Sequence, residues 1–488
     1  MPLKFGYIKR PNRQRRRPIL QALSQRTQSI ADYLRAPDLG QFQDASQASS
    51  GAPRSFCSGC CRSSQKPSSR ISSIRPEPEG QDQAHGAAYP GESLDNLLGG
   101  QTIRGLDNPI NNGPFCNPVN LTDPSAGQVC SKPHDFDSVI NDSDHSIHGN
   151  NIQFYGTFHP DQAAIESGQL KPSMNGFVHE QARLYPTVDQ SVLDTQVLNY
   201  YTEDQVPVFT ELVRNFITFN NWHSDIPADR SKQSRYVSGT SYGHGTNDAG
   251  FGKSTLPQRS IFQQLTETNH SWANYCTSGS GDSHYFSWTV NSGSTKFSKP
   301  INQFYQDAYL GRLPEFSYID PSCCSVGTNS IHPSGLVSDG QILVKQIYDA
   351  LRSGPQRDET LFIISFDETG GFHDHVPPPR APRPDNLTYT EKTPDGGSYT
   401  FNFDRLGSRV PTFLISPWVD GGVVEKLGTN ADGQQVSYSA TSTLRTLGYL
   451  WDFEPFNPRV AAAPSFDHLI GTTKRVFTPE TLVTPHAF

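Results

Sequence analysis

No stretch of this sequence approaches the ~20 consecutive apolar residues that a bilayer-spanning helix needs, so no helical membrane span is expected. The ~7–15-residue apolar core of a secretory leader is also missing after the basic stretch Arg13, Arg15, Arg16 and Arg17. That stretch reads as an unstructured basic tail, with a nuclear-localisation or nucleic-acid patch as the alternative. Apolar residues are only 34% of the chain, while Gly (40) and Pro (38) are plentiful. A length of 488 residues still suffices for one large or two ordinary domains with a sizeable core, wrapped in many loops. Positive charge is scarce outside the start of the chain. Residues 1–86 hold fourteen Lys/Arg against six Asp/Glu, so the remainder carries a net −16. An acidic body argues against nucleic acid as the main partner. Cysteine is sparse at eight, and Cys57, Cys60 and Cys61 lack the second ligand pair that a zinc site requires. No internal repeat is evident.

The chain is organised around Thr360–Pro379. Leu361–Phe366 is a continuous apolar run of β-formers, the pattern of a parallel strand covered on both faces. It ends on Asp367 and Glu368, followed by Gly370 and Gly371. Two adjacent carboxylates repel unless a proton or cation compensates them. Open α/β sheets place their chemistry at the carboxyl ends of strands. The glycines permit a sharp turn that lets both side chains converge. A divalent-metal site is therefore expected; solvated acids at a strand end are the plainer alternative.

Other elements follow in order. Residues 1–88 read as a disordered basic, Ser- and Pro-rich segment, 89–472 as one catalytic domain, and 473–488 as a tail. Asp144-His145-Ser-Ile-His148 offers two histidines suited to a metal or a phosphate. Gln205–Asn221 has helical apolar spacing, and the hydroxyl-rich loop Ser238–Gly245 reads as turns. Leu313–Asp320 is expected as a strand, 339–353 as a helix with Ser338 at its N-cap and Gly354 as its stop, Val410–Ser416 as a strand, and 437–452 as a closing helix. The strand–helix–strand order implies a right-handed crossover and parallel pairing. Cys116 and Cys130 bracket a Pro- and Asn-rich loop and are expected to bond, and Cys276 to pair with Cys323 or Cys324. Sequons at Asn120, Asn141, Asn269 and Asn386 lean towards a secreted glycoprotein.

The run Asp367-Glu-x-Gly-Gly-Phe-x-Asp-His-Val-Pro-Pro-Pro379 resembles the phosphoesterase family, which holds phosphatidylcholine- and phosphatidylglycerol-type phospholipases C and a group of acid phosphatases. Leu94–Gly100, Asp144–His148, Ser238-Gly-Thr240, Leu313-Pro314, His332-Pro333 and Phe403–Pro411 agree in order. The resemblance implies an α/β fold of the alkaline-phosphatase type, a three-layer α/β/α sandwich on a mostly parallel sheet. It implies Asp367 and Glu368 as ligands of a divalent metal ion. His332 would bind the phosphoryl group or protonate the leaving oxygen, and His145 or His148 would be the upstream phosphate-site histidine. Asp374-His375 matches too and reads as structural support. The implied substrate is a phospholipid or small phosphate ester; oligomeric state stays open.

Two departures stand out. The family carries Glu-Asn-Arg-Ser-Phe-Asp after its first strand, whereas this chain reads Pro90-Gly-Glu-Ser-Leu-Asp95, with no apolar strand before it. The first strand and two ligands are therefore expected to be missing, as if an unrelated segment had been joined to a truncated catalytic domain. The nucleophile, a Ser or Thr in the family, falls at Ser231 only with a small alignment gap. Three functions are compatible with this pattern: a phospholipase C-type phosphodiesterase, an acid phosphatase, or a phosphate-ester-binding domain with impaired catalysis. A lipid substrate predicts an apolar rim, for which Tyr285, Phe286, Trp288 and Phe297 are candidates.

Overall fold

The computed structural model describes the backbone of 83–89 and, with side chains, 91–488 except 139–140, 190–192, 194–195, 228–235, 247–255 and 324–325. These residues lie within one unit, Glu77–Phe488. Ser231, the cysteines at 57, 60 and 61, and the basic stretch at 13–17 lie outside the described residues.

Eight strands build the central sheet: β1 Gln83–Tyr89, β2 Ile217–Phe219, β3 Trp272–Cys276, β4 Ser298–Pro300, β5 Phe316–Asp320, β6 Thr360–Phe366, β7 Thr412–Ile415 and β8 Val423–Glu425. Their spatial order is β8-β2-β7-β6-β1-β5-β3-β4. All neighbours are parallel except β7, which runs antiparallel to both β6 and β2. Helices α1 Leu94–Leu97, α2 Ile147–Tyr155, α3 Phe177–Leu184, α4 Pro207–Asn215, α5 Ile261–Glu267, α6 Ile301–Leu310, α7 Val337–Ser353 and α8 Ala440–Trp451 complete the frame used below.

Side chains alternate across a strand, so the two faces of this sheet can be read from its apolar clusters. Tyr275 and Ile319 join Phe209 of α4, Phe304 of α6 and Val344 and Ile347 of α7 on one side. Trp272, Phe316 and Tyr318 join Phe262 and Leu265 of α5 and Leu444 and Leu447 of α8 on the other. The result is a sheet sandwiched between helical layers, the expected α/β/α architecture.

The expected loss of the first strand is corrected. Gln83–Tyr89 pairs in parallel with β5 from Ala84↔Phe316 and with β6 from Gln83↔Thr360. Its sequence, Gln-Ala-His-Gly-Ala-Ala-Tyr, contains no β-branched residue, which is why apolar patterning passed over it. β5 and β6 are consequently not neighbours; β1 lies between them. The expected helix 205–221 also splits. It stops at Asn215, and Ile217–Phe219 becomes a buried strand, since a short apolar run suits either element. Helix α7 starts at Val337, and Asp137 rather than Ser338 supplies the cap: its carboxylate accepts from Ser338 N at 2.9 Å and Oγ at 2.5 Å.

Cys116 and Cys130 form the expected disulfide. Cys276 does not: it is a buried free thiol, while Cys323 is bonded elsewhere. Sitting on a central strand beside Ser298, it faces the sheet's own neighbours. The aromatic rim is corrected in part, with Trp288 left half-buried outside the apolar clusters. Phe286 is fully buried, and Tyr285 and Phe297 pack against the α5/α8 cluster. No described helix is long and apolar enough to cross a membrane.

Candidate active site

Every residue of β6 is buried, as its apolar run predicts, and Asp367 and Glu368 at its carboxyl end remain buried too. The turn behind them needs glycine. Gly370 and Gly371 have φ of +61° and +73°, where a Cβ is strained. A Cβ on Gly370 would lie 2.6 Å from Gly91 O, and one on Gly371 2.7 Å from Asp144 O. Three segments thus meet at the strand end: the Asp367–Gly371 turn, the Gly91–Glu92 residues after β1, and the Asp142–His145 loop before α2. Glu92 N donates to Glu368 O at 3.1 Å.

Two histidines face this junction. His145 places Nδ1 2.7 Å from Ser143 O, and His332 places Nδ1 2.5 Å from Pro333 O. A carbonyl oxygen only accepts, so both Nδ1 atoms carry hydrogen and both Nε2 atoms turn to the junction. There His145 Nε2 lies 3.9 Å from Glu368 Oε1, and His332 Nε2 lies 4.0 Å from Asp142 Oδ2. The rings meet edge-on with centroids 5.9 Å apart. One ligand atom each from Asp142, His145 and His332 falls within 4.8 Å of the others. Asp142, with the buried carboxylates of Asp367 and Glu368 at the same junction, supplies the oxygen donors of a divalent-metal site, so the residues present fit such an ion.

Asp142 carried no sequence signal beyond its place in a sequon. His148, the alternative to His145, faces away. Its Nδ1 lies 3.0 Å from Glu391 Oε1 and its Nε2 3.6 Å from Asp144 Oδ2. Burial opposes its charge, but the Glu391 hydrogen bond and the charges of Asp144 and Glu391 raise its pKa. Asp144 organises the turn into α2, accepting from Ser146 N at 2.9 Å and Oγ at 2.6 Å. Ser238 and Thr240 close a local turn, Ser238 Oγ donating to Thr240 O at 2.8 Å, as turn residues do.

A second acidic pair, Asp320 and Asp282, lies close to Asp367. Asp320, at the end of β5, accepts from Asn274 Nδ2 at 2.7 Å and from Asp282 N at 3.0 Å. Burial pushes the Asp282 carboxyl up, Asp320 adds to the shift, and Asp367 contributes a further push. Asp282 thus keeps its proton in the folded state, and Asp367 lies close enough to act on it.

Gly91 and Glu92 occupy the departure noted in the sequence. Gly91 has φ +88°, and a Cβ there would lie 3.4 Å from His332 Cα, so His332 packs on bare backbone. Glu92 is the acid nearest to the missing ligand pair in sequence. It is buried, and burial pushes its pKa well up.

A second cluster, Asp95, Asp374 and His375, also has ligand atoms in mutual reach. It already holds a cation of its own. Arg409 is fully buried, with Nε 2.9 Å from Asp374 Oδ1 and an Nη 2.9 Å from Asp95 Oδ1. Asp374, read from the sequence as structural support, is thus an ion-pair partner of a buried arginine.

The phosphoesterase family profile matches residues 91–454. Non-specific phospholipase C4 of Arabidopsis thaliana is 34% identical over 407 residues, covering 80% of this chain and 72% of its own. Non-specific phospholipase C3 of the same plant is 32% identical over 401 residues, with coverages of 80% and 73%. Among solved structures, an alkaline phosphatase superfamily protein from Vibrio parahaemolyticus aligns with 54% of this chain and 65% of its own at 13% identity and a TM-score of 0.32.

Proposed function

Because the chain belongs to the phosphoesterase family, whose curated relatives here are phospholipases C, and is a phosphoric ester hydrolase on that ground, we propose that it cleaves phosphodiesters of the phospholipid type. The observation that carries this reading is the pair of imidazole Nε2 atoms turned, with Asp142 and Glu368, onto one junction at the strand end. The catalytic domain is assigned to 89–472, with 473–488 as its tail.

Phosphate esters resist attack because their oxygens repel nucleophiles. His145 and His332 as imidazolium ions offset that charge and donate to phosphoryl oxygens. Ser231, assigned by family resemblance, is the nucleophile: its Oγ–H proton passes to solvent as Oγ bonds to phosphorus, and the ester P–O bond breaks. His332 Nε2 delivers its proton to the departing alkoxide. Water then cleaves the phosphoserine, returning Ser231 Oγ–H. Asp367 and Glu368 would hold a divalent cation, with Asp142 as an added carboxylate; bound there, it supplies Lewis-acid charge against the phosphoryl oxygens. The Cys116–Cys130 disulfide and exposed sequons at Asn269 and Asn386 support secretion as a glycoprotein.

The test is metal content of the purified full chain with turnover of chromogenic phosphodiester and phosphomonoester substrates at acid and neutral pH. Diester turnover should exceed monoester turnover, and His332→Ala should lower kcat by roughly 10²–10⁴-fold with the fold intact. A folded, metal-free protein that turns over neither substrate removes the proposal. Faster monoester turnover replaces it with the acid phosphatase reading.

A further inference from the structure

The second cluster has a feature that structural support alone does not require. His375 Nδ1 lies 2.7 Å from Asp95 Oδ2, and its Nε2 lies 3.1 Å from Asp107 Oδ1. Both ring nitrogens thus face carboxylates, which only accept hydrogen bonds. A neutral imidazole has one N–H and would oppose a lone pair to one of the two acids. Only the imidazolium satisfies both. The ring is held in place by Phe115, stacked on it at 3.8 Å, and by its own backbone N–H, which donates to Asp95 Oδ2 at 2.8 Å.

This ring sits where the active-site segments are joined. Ser93 Oγ donates to His373 O at 2.6 Å, Leu94 N to Arg409 O at 3.1 Å, and Glu92 N to Glu368 O at 3.1 Å. The Gly91–Asp95 segment and the Glu368–His375 turn are therefore stitched along their length, and Gly91 is the surface on which His332 rests. Movement of Asp95 away from His375 would be transmitted to both Glu368 and His332.

We propose that His375 is a positioning residue of this site that works as the doubly donating imidazolium, clasping the Asp367–Glu368 turn to the Asp95 segment and releasing it as pH rises. The inference rests on the hydrolase reading for its effect on turnover, but not for the clasp itself. The charges facing His375 are Asp95 on α1, Asp107 on the following loop, Asp374 beside it in the chain, and Arg409 ahead of β7, an Nη of which lies 3.4 Å from Nδ1; His373 is the remaining titratable neighbour. Arg409 is shared by Asp95 and Asp374, so one guanidinium faces two buried carboxylates and a second positive charge closes the balance. Burial works against protonation of His375, but the Asp95 hydrogen bond and the Asp95 and Asp374 charges outweigh it and hold its pKa above the usual histidine value. A raised histidine pKa stabilises the closed state below the ordinary value and loses that contribution as pH climbs through the raised one.

The experiment uses the full chain, its Asp107→Asn variant at the half-exposed end of the clasp, and His375→Gln. Three readouts are compared from acid to alkaline pH: the His375 ring-proton resonance, assigned by its absence in His375→Gln; hydrogen exchange of the Glu368–Asp374 peptide, corrected for intrinsic rates; and kcat on a phosphodiester. In the wild type, His375 should titrate above the free residue, and exchange should rise about tenfold as it does. Asp107→Asn should move the titration, the exchange rise and the alkaline fall in kcat together to lower pH, with KM little changed. His375→Gln should exchange fast at every pH and lose about tenfold in kcat, the scale of a small misplacement of reacting groups. The proposal is overturned by a His375 that titrates at or below the free value. It is also overturned by exchange indifferent to His375→Gln, or by an Asp107→Asn protein whose exchange moves while kcat does not. A wild type without turnover overturns the hydrolase reading alone, and titration and exchange then decide the clasp.

Discussion

Arg409 shows how one residue can fix the geometry of many. Its guanidinium, with no exposed surface, bridges Asp95 and Asp374 and also donates to the carbonyls of Asp107 and Asn220. Burying such an ion is costly, so the arrangement is stable only while every partner is present. Arg409→Met leaves two buried carboxylates uncompensated and should cost roughly 3–5 kcal/mol in urea unfolding. Arg409→Lys keeps the charge but lacks the planar fork, and should fall between the two. At this scale the sequence was informative about residue type and weak about direction. His145 and His148 share a motif, and only the turn set by Asp144 sends one towards His332 and the other towards Glu391. Asp142 had the same composition as its neighbours and became visible only once folded beside His332.

Elements carry the next layer of control. Helices α2 and α3 meet at a carboxylate pair next to the active-site loop: Glu180 on α3 bonds Arg183, whose guanidinium lies 3.6 Å from Asp144. Burial lifts the Glu180 pKa from 4.5 to about 7, against the pull of Arg183. An acid with a raised native pKa keeps its proton in the folded state after the unfolded chain has released it. Stability should therefore fall as pH rises from about 4.5 to about 7. Glu180→Gln should flatten that slope and gain on the order of 2 kcal/mol at the alkaline end of the window, measured by denaturant unfolding at stepped pH. Long periodic helices such as α7 and α8 were legible because many turns repeat one apolar face. The end of α4 was not, because Phe216–Phe219 is apolar throughout and its fate depends on whether β7 and β8 are there to pair with it.

At the scale of the whole described body, the sheet and its helical layers are closed by the end of the chain. Tyr348 Oη and Arg352 Nε of α7 both donate to Pro479 O, at 2.7 and 2.9 Å, and Leu482 N donates to Asp349 Oδ1 at 3.1 Å. Leu482 is 1% exposed and belongs to the apolar cluster that includes β6 and α7. Ending the chain after residue 476 should lower stability by about 2 kcal/mol, the burial of one leucine side chain and its neighbours, and shift the thermal midpoint down without changing the substrate preference. An unchanged midpoint would show that this strap contributes nothing.

The sequence by itself determined the class of fold and the strand end where three family motifs meet. An apolar run of β-formers that ends on two acids and two glycines favours a covered strand followed by a tight turn, because its residues suit the pleat and the glycines accept positive φ. It also determined family membership, through motifs spread along the chain in a constant order. The tertiary structure decided what depends on neighbours far away in sequence. It placed β1, a strand with no β-branched residue, between β5 and β6, left Cys276 unbonded, buried Phe286, and turned His145 rather than His148 towards His332. Each of these outcomes follows from which surface is already occupied, and a strand, a thiol or an imidazole has no record of that in its own residues.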